Sequence, residues 1–164
     1  MTQRGDGPCM SAEAREAMRA LDSMPSAPFV MTACYEDDRV GVLIEWVQRC
    51  CADPPLVSAA LRRGHLIEPL IRDSRAFALC KAPPNDRLCL KRFGPDASPD
   101  ADAFDSMEIE TLVTGAPCLV RAECVFDCEL HQHYDLDCDY EMYIGVVRAV
   151  RVREAPTRPK SRRK

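Results

Sequence analysis

Residues 39–70 read RVGVLIEWVQRCCADPPLVSAALRRGHLIEPL, and several elements of secondary structure follow one another closely there. An apolar run ends in a Cys-Cys pair, and a double proline then interrupts the strand because proline has no N–H to donate to a ladder. A second apolar run ends at the basic turn 62–65. The pattern therefore predicts a strand over 40–48, a turn, a strand over 56–61 and a short helix.

Pro69 fixes where that helix begins, since proline is tolerated in the first turn of a helix and excluded from its interior. We predict a helix from Ile67 or Glu68 to about Asp73, with three side chains directed inward: Leu66, Leu70 and Ile71. The preceding turn combines a glycine, three potential cations and a helix N-terminus, which is typical of an anion-binding corner. Its residues are Arg62, Arg63, Gly64 and His65.

The remainder of the chain predicts further short strands, and no alternating strand–helix units occur. The strands are expected over 28–36, 75–81, 109–113, 118–129 and 140–152. Helices are expected over 11–21, capped by Ser11, and over 86–93, capped by Asn85. Gly145 inside the last strand indicates a bulge or a close approach of another backbone. These elements predict a β-barrel with helical insertions.

Composition places the chain among globular proteins, with 164 residues, 46% hydrophobic content and a net charge of −4. We expect an N-terminal segment with one helix (1–24), a barrel domain (25–153) and a basic disordered tail (154–164). Nucleic-acid binding would depend on that tail alone, so we do not expect it. No apolar run approaches the ~20 residues that cross a membrane, and no signal peptide is recognised, so we expect a cytoplasmic protein.

The ten cysteines lie mostly in apolar segments and form no CxxC pair, so we expect reduced thiols. Segment 128–139 contains cysteines, histidines and carboxylates that could bind zinc, but its spacing matches no standard site, and we predict no metal. The sequence contains no nucleophile elbow, dinucleotide motif or P-loop, and it indicates no catalytic residue. Trp46 is expected in the core, or beside a planar ligand.

Residues 27–150 resemble the flavin reductase-like, FMN-binding split-barrel family. The resemblance is carried by DPPLV at 53–57, by RGHLIE at 63–68, by the IxxSxxF joint at 71–77, by GAP at 115–117 and by YIGVV at 143–147. It implies a mainly β, Greek-key split barrel with short α-helical insertions. It also implies a homodimer with FMN at the subunit interface. Activity in the family is hydride transfer from NADH or NADPH to flavin, which reduces a flavin or another acceptor.

The resemblance also assigns candidate flavin-binding residues. The ring-facing stretch is Glu45, Trp46, Val47 and Gln48, Cys51 stands where the family usually has serine, and the phosphate turn is Arg62, Arg63, Gly64 and His65. Leu43 and Glu45 replace hydroxyl residues of the family, and Tyr140 replaces a histidine. Glu45 would repel a phosphate unless Arg62 or Arg63 pairs with it. The alternatives are a non-catalytic flavin-binding or degenerate barrel, or a barrel that binds haem through His65, His131 or His133, or a metal.

Overall fold

A computed structural model of the chain describes residues 11–98 and 102–153, with nine strands and three helices. The strands are β1 Phe29–Tyr35, β2 Asp38–Ile44, β3 Val47–Ala52, β4 Pro55–Arg62, β5 Ala76–Lys81, β6 Ile109–Thr111, β7 Pro117–Leu119, β8 Cys124–Asp135 and β9 Tyr140–Val152. The helices are α1 Ala12–Asp22, α2 Ile67–Ser74 and α3 Arg87–Phe93. The predicted basic tail lies outside the described residues.

Seven strands form one antiparallel sheet in the order β2-β1-β5-β8-β9-β4-β3. Strands β2 and β3 lie at opposite edges, yet only Glu45 and Trp46 separate them along the chain. In a flat sheet those edges would be about 29 Å apart, at ~4.8 Å per strand. The two-residue link spans roughly 10 Å, so the sheet must curl until its edges meet. The predicted mainly β barrel with short helical insertions is confirmed.

The barrel interior is filled by large apolar side chains that alternate along the strands. Its fully buried members include Met31, Leu61, Phe77 and Leu79. Helix α2 packs against the same cluster through Ile67 and Ile71, which are also fully buried. Each such side chain contributes roughly 1.5–3 kcal/mol to stability. The buried face of α2 therefore fixes the position of the helix, and with it the turn that precedes α2.

The outer face of β1, β5 and β8 is covered by α3 and by the β6–β7 hairpin. Phe93 and Phe104 pack edge to face there, with ring centroids 5.3 Å apart. Buried Asp127 accepts hydrogen bonds from the N–H groups of Val113 and Thr114 at 2.7 and 2.8 Å. This carboxylate attaches the β6–β7 connection to β8, since its charge is satisfied by those donors.

Several predicted boundaries differ from the structure. The strand predicted over 40–48 breaks at Glu45 because β2 pairs with β1, whereas β3 pairs with β4. The strand predicted over 118–129 is two strands, because a turn separates β7 from β8. Pro55 joins the ladder as the first residue of β4, a position that proline tolerates. These bounds depend on long-range pairing.

The caps of α2 and α3, and the inward face of α2, also differ from the prediction. Asn85 adopts a left-handed φ of 59°, and Asp86 is the N-cap of α3, with Oδ1 accepting from Leu88 N–H at 3.0 Å. Leu66, predicted to point inward, is 64% exposed. Arg75 is not a strand residue but the left-handed C-cap of α2, with φ 58°. The cap Ser11 predicted for α1 is confirmed.

The nine cysteines of the described residues are free thiols, as predicted. Burial raises the pKa of Cys80 and of Cys89 to about 12, so these thiols are unreactive at neutral pH. Among residues 11–98 and 102–153, no helix has the length and apolar character of a membrane span. The cytoplasmic location stays a prediction.

Candidate functional site

A cavity of about 640 Å³ opens where β2 and β3 meet. One wall is β2 from Arg39 to Ile44, and the opposite wall is the end of β4 with the turn that follows it. The end of α3 and the segment after it form a third side. The volume lies in the range of small-molecule sites, so the seam of the barrel is a candidate binding site.

An aromatic pair stands at the mouth of this cavity. The rings of Trp46 and Tyr140 pack with centroids 4.7 Å apart at a tilt of 46°. Trp46 is 54% exposed, so its predicted position in the core is wrong. It lies in the link between β2 and β3, where its carbonyl oxygen accepts the N–H of Ala60 at 3.0 Å. The pair gives the cavity an aromatic surface, and a position of Trp46 beside a planar ligand stays a prediction.

The two arginines of the basic turn face different surroundings. Arg62 lines the cavity, and within residues 11–98 and 102–153 it has no ion-pair partner. Arg63 instead contacts the Asp135 carboxylate, and its Nε lies 3.6 Å from Glu141 Oε1. Its backbone N–H also donates to Asp139 O at 2.8 Å. Arg63 therefore fastens the β8–β9 turn, while Arg62 remains available to an anion.

Glu45 also lines the cavity and is exposed. A pair with Arg62 or Arg63 would neutralise it, but neither arginine pairs with Glu45 in the described part of the chain. Its carboxylate therefore adds a negative charge to the lining of the cavity that Arg62 also lines.

His65 lies two residues before α2 and contacts its first turn. Its Nδ1 accepts the N–H of Ile67 at 3.2 Å, and Glu68 Oε1 accepts the N–H of His65 at 3.0 Å. The pair resembles a capping box placed one residue before the N-cap Leu66, with the histidine accepting from the residue two positions on. Burial lowers the pKa of His65, and the nearby Glu68 carboxylate partly opposes that shift. The side chain is therefore a neutral acceptor at pH 7 rather than a cation for phosphate.

This cap predicts a pH-dependent contribution to stability. Because the folded state lowers the His65 pKa below 6.5, the unfolded chain binds more protons at mildly acidic pH. The contribution of neutral His65 to the free energy of unfolding is complete above pH 6.5. It is lost as the pH falls through the lowered pKa of His65 in the folded state. His65→Asn keeps a capping oxygen without titrating there. Urea unfolding at several pH values should show a smaller loss in this variant, and equal losses would contradict the assignment.

A second polar cluster lies beyond Arg63. Tyr143 O–H donates to Glu141 Oε2 at 3.1 Å, and His133 Nε2 lies 2.9 Å from the same oxygen. The His133 ring stacks on Tyr143 at 4.6 Å. Burial, with the adjacent carboxylate, raises the pKa of Tyr143. His133 is thus occupied by protein partners, and the described residues contain no group of three metal ligands.

Of the predicted site residues, the cavity brings four together: Glu45, Trp46, Arg62 and His65. The others are not among its lining residues: Val47, Gln48, Cys51, Arg63 and Gly64. Sequence reasoning missed Arg39 and Asp102, which form an ion pair of 2.5 Å on the cavity wall. No local pattern marks them, because 63 residues separate them in the chain. The flavin assignments themselves stay predictions.

A family model described as "Flavin reductase like domain" matches residues 21–161. This chain belongs to the flavin reductase-like family. The resemblance inferred from the sequence is confirmed, and membership supports a flavin-linked oxidoreductase function.

Individual relatives are distant. Diflavin flavoprotein A 1 of Synechocystis sp. is 24% identical over 129 residues, which cover 78% of this chain and 22% of that protein. This flavin reductase-like chain thus spans about a fifth of that relative. Nitrilotriacetate monooxygenase component B from Mycobacterium thermoresistibile superposes with a TM-score of 0.76 and 22% identity, covering 90% of this chain and 79% of the other. An FMN-binding protein from Thermus thermophilus gives 0.74 and 21%, covering 94% and 82%.

Proposed function

We propose that this chain is an NAD(P)H-dependent flavin reductase that binds FMN in the cavity beside Trp46. One observation carries the proposal: the aromatic pair of exposed Trp46 and half-buried Tyr140 lines the same cavity of a flavin reductase-like barrel as Arg62, which is unpaired within the described residues. Bound flavin supplies the redox chemistry, accepting a hydride from NADH or NADPH and reducing a flavin or another acceptor. The chain supplies binding, orientation and exclusion of water.

The residues present fit a flavin in charge and shape. The face of Trp46 offers a planar apolar surface to an aromatic ring system. The Arg62 guanidinium can donate two parallel hydrogen bonds to a phosphate. Val42 and Ile44 on β2 provide an apolar wall that keeps water from the ring. His65 holds the turn that carries Arg62 in place through its contact with α2.

Glu45 favours a second candidate, a flavin-binding barrel without catalytic activity. A carboxylate a few ångströms from a phosphate raises the free energy of the complex, since like charges repel. The hydroxyl groups expected at these positions are replaced by Leu43 and Glu45. In this second candidate the flavin binds and no hydride transfer follows. Reduction by pyridine nucleotide separates the two.

We also propose that a second copy of the chain completes the site. Trp46 and Leu66 are 54% and 64% exposed at the cavity, and large apolar side chains grouped at a concave surface are typical of interfaces. Sedimentation should report a dimer. A monomer that binds FMN with full affinity would contradict this step alone.

The test of function uses the single tryptophan as its own probe. Adding FMN to the purified chain should quench Trp46 fluorescence and give a saturable titration. Adding NADH or NADPH without oxygen should then bleach the visible flavin band. Quenching without bleaching would establish the non-catalytic candidate, and no quenching with either FMN or FAD would overturn both. Riboflavin, which lacks the phosphate, is the matched control ligand.

A further inference from the structure

Two adjacent cysteines lie at the far end of the β3–β4 hairpin, away from the cavity. Cys50 is exposed and Cys51 is partly buried, and neither is among the residues that line the cavity. Cys51 Sγ donates to Asp53 O at 3.3 Å, and Cys50 Sγ lies 3.8 Å from Gln48 O. Within the described residues, the hydrogen bonds of both thiols go to backbone oxygens of their own hairpin, and neither thiol is in a disulfide.

The register of the hairpin puts both thiols on one face. Directly opposed residues share a face of an antiparallel pair, and successive residues alternate between faces. Arg49 opposes Val57, whose side chain is buried in the barrel, so the next residue, Cys50, is directed outward. The ladder then shifts, and Cys51 opposes Leu56, which lies on the outer face because it adjoins Val57.

The bulge is what makes this arrangement differ from an ordinary Cys-Cys sequence. In a regular strand the two thiols would point to opposite faces of the sheet. Here the extra residue, Cys50, has no partner on β4, and the bulge re-aims the side chains around it. Two neighbouring thiols on one face of the hairpin can both bind the same atom.

The number of sulfur ligands determines which kind of atom can bind at this site. Structural zinc sites require four ligands, and no group of three candidate ligands occurs in residues 11–98 and 102–153. A trivalent organoarsenical, by contrast, is satisfied by two sulfur atoms. We infer that Cys50 and Cys51 form a vicinal dithiol site that binds trivalent arsenicals at the β3–β4 hairpin.

The reaction balances without an oxidant or a reductant. The arsenic–oxygen bond of an arsine oxide breaks and two As–S bonds form, one to each Sγ. The two thiol protons leave with the oxygen as one molecule of water, and arsenic stays trivalent. Once one As–S bond exists, the second thiol is held at high effective concentration, so the chelate resists competing monothiols.

The experiment uses phenylarsine oxide on the purified full-length chain, followed by intact mass measurement. The wild-type chain should retain one phenylarsenic group in excess 2-mercaptoethanol and release it to the dithiol 2,3-dimercaptopropanol. Cys50→Ser and Cys51→Ser should each retain the group roughly 100-fold less strongly, since only one As–S bond remains at the hairpin. Circular dichroism checks that each variant is folded.

Cys138→Ser is the matched control, because Cys138 is another exposed thiol but has no adjacent cysteine. This variant should retain the adduct as the wild type does. A wild-type chain that keeps no adduct in the monothiol would overturn the inference. Undiminished retention in either hairpin variant would do the same. Both measurements are made on the chain freed of flavin, so neither result depends on whether the chain reduces a flavin.

Discussion

Replacing Arg62 with Ala is expected to weaken FMN binding by roughly 10- to 100-fold, the loss of a charge-assisted hydrogen bond worth about 1.5–3 kcal/mol. Arg62 lines the cavity and has no ion-pair partner in residues 11–98 and 102–153, so its charge is available to the phosphate. Titration of Trp46 fluorescence with FMN measures the change. Riboflavin affinity should stay nearly the same, because riboflavin carries no phosphate.

Arg63→Ala is the matched comparison, since the same change is made one residue along the chain. Arg63 contacts Asp135 and Glu141, so its loss should leave FMN affinity nearly unchanged. It should instead lower the free energy of unfolding by at most about 1 kcal/mol, the upper end of the range for partly exposed ion pairs. If Arg63→Ala weakened FMN binding as strongly as Arg62→Ala, the phosphate would lie at Arg63 after all.

Local sequence rules were sufficient for the part of the fold that proline and glycine control. Pro69 predicted the start of α2 at Ile67 or Glu68, and the helix begins at Ile67. The double proline predicted the end of β3, because a residue without an N–H cannot continue the ladder. Both effects act within a few residues, so they can be read without knowing which strands pair.

The break between β2 and β3 could not be predicted in that way. Residues 40–48 are apolar apart from Glu45 and Gln48, and isolated polar residues in an apolar run do not distinguish one strand from two. The break exists because β2 pairs with β1 while β3 pairs with β4, on opposite edges of the sheet. Trp46 lies at that break, and its exposure follows from the closure of the barrel rather than from its hydrophobicity.

The roles of the charged residues were equally hidden. Arg62 and Arg63 are identical in type and adjacent, yet one lines the cavity and the other is paired. The difference arises because Asp135, 72 residues from Arg63, reaches it from the end of β8. Sequence alone indicated a basic turn, and only the packing of β9 against β4 shows which cation is free.

A second large effect is expected at Gly145, where Ala should destabilise the fold by about 1–3 kcal/mol through overpacking. Gly145 lies on β9 and faces the barrel interior. It opposes Val57 on β4 and Leu130 on β8. A Cβ there would lie 2.6 Å from Phe77 Cζ and 2.8 Å from Cys128 Cβ. Real side chains do not approach so closely, so Phe77 or the sheet must shift. The sequence predicted a bulge or the close approach of another backbone, whereas the atoms that crowd Gly145 belong to side chains, and the nearest register shift is on β8 between Leu130 and Gln132.

The source of the strain is tested by shortening the neighbour. Phe77→Leu alone should cost stability, because it leaves a cavity in the core. Combined with Gly145→Ala, it should cost less than the sum of the two single changes, since the new methyl group enters the space that the ring vacates. Thermal and urea unfolding of the four chains give this coupling. Strict additivity would mean that Phe77 is not what excludes a side chain at this position, and that Cys128 on the neighbouring strand β8 limits the approach instead.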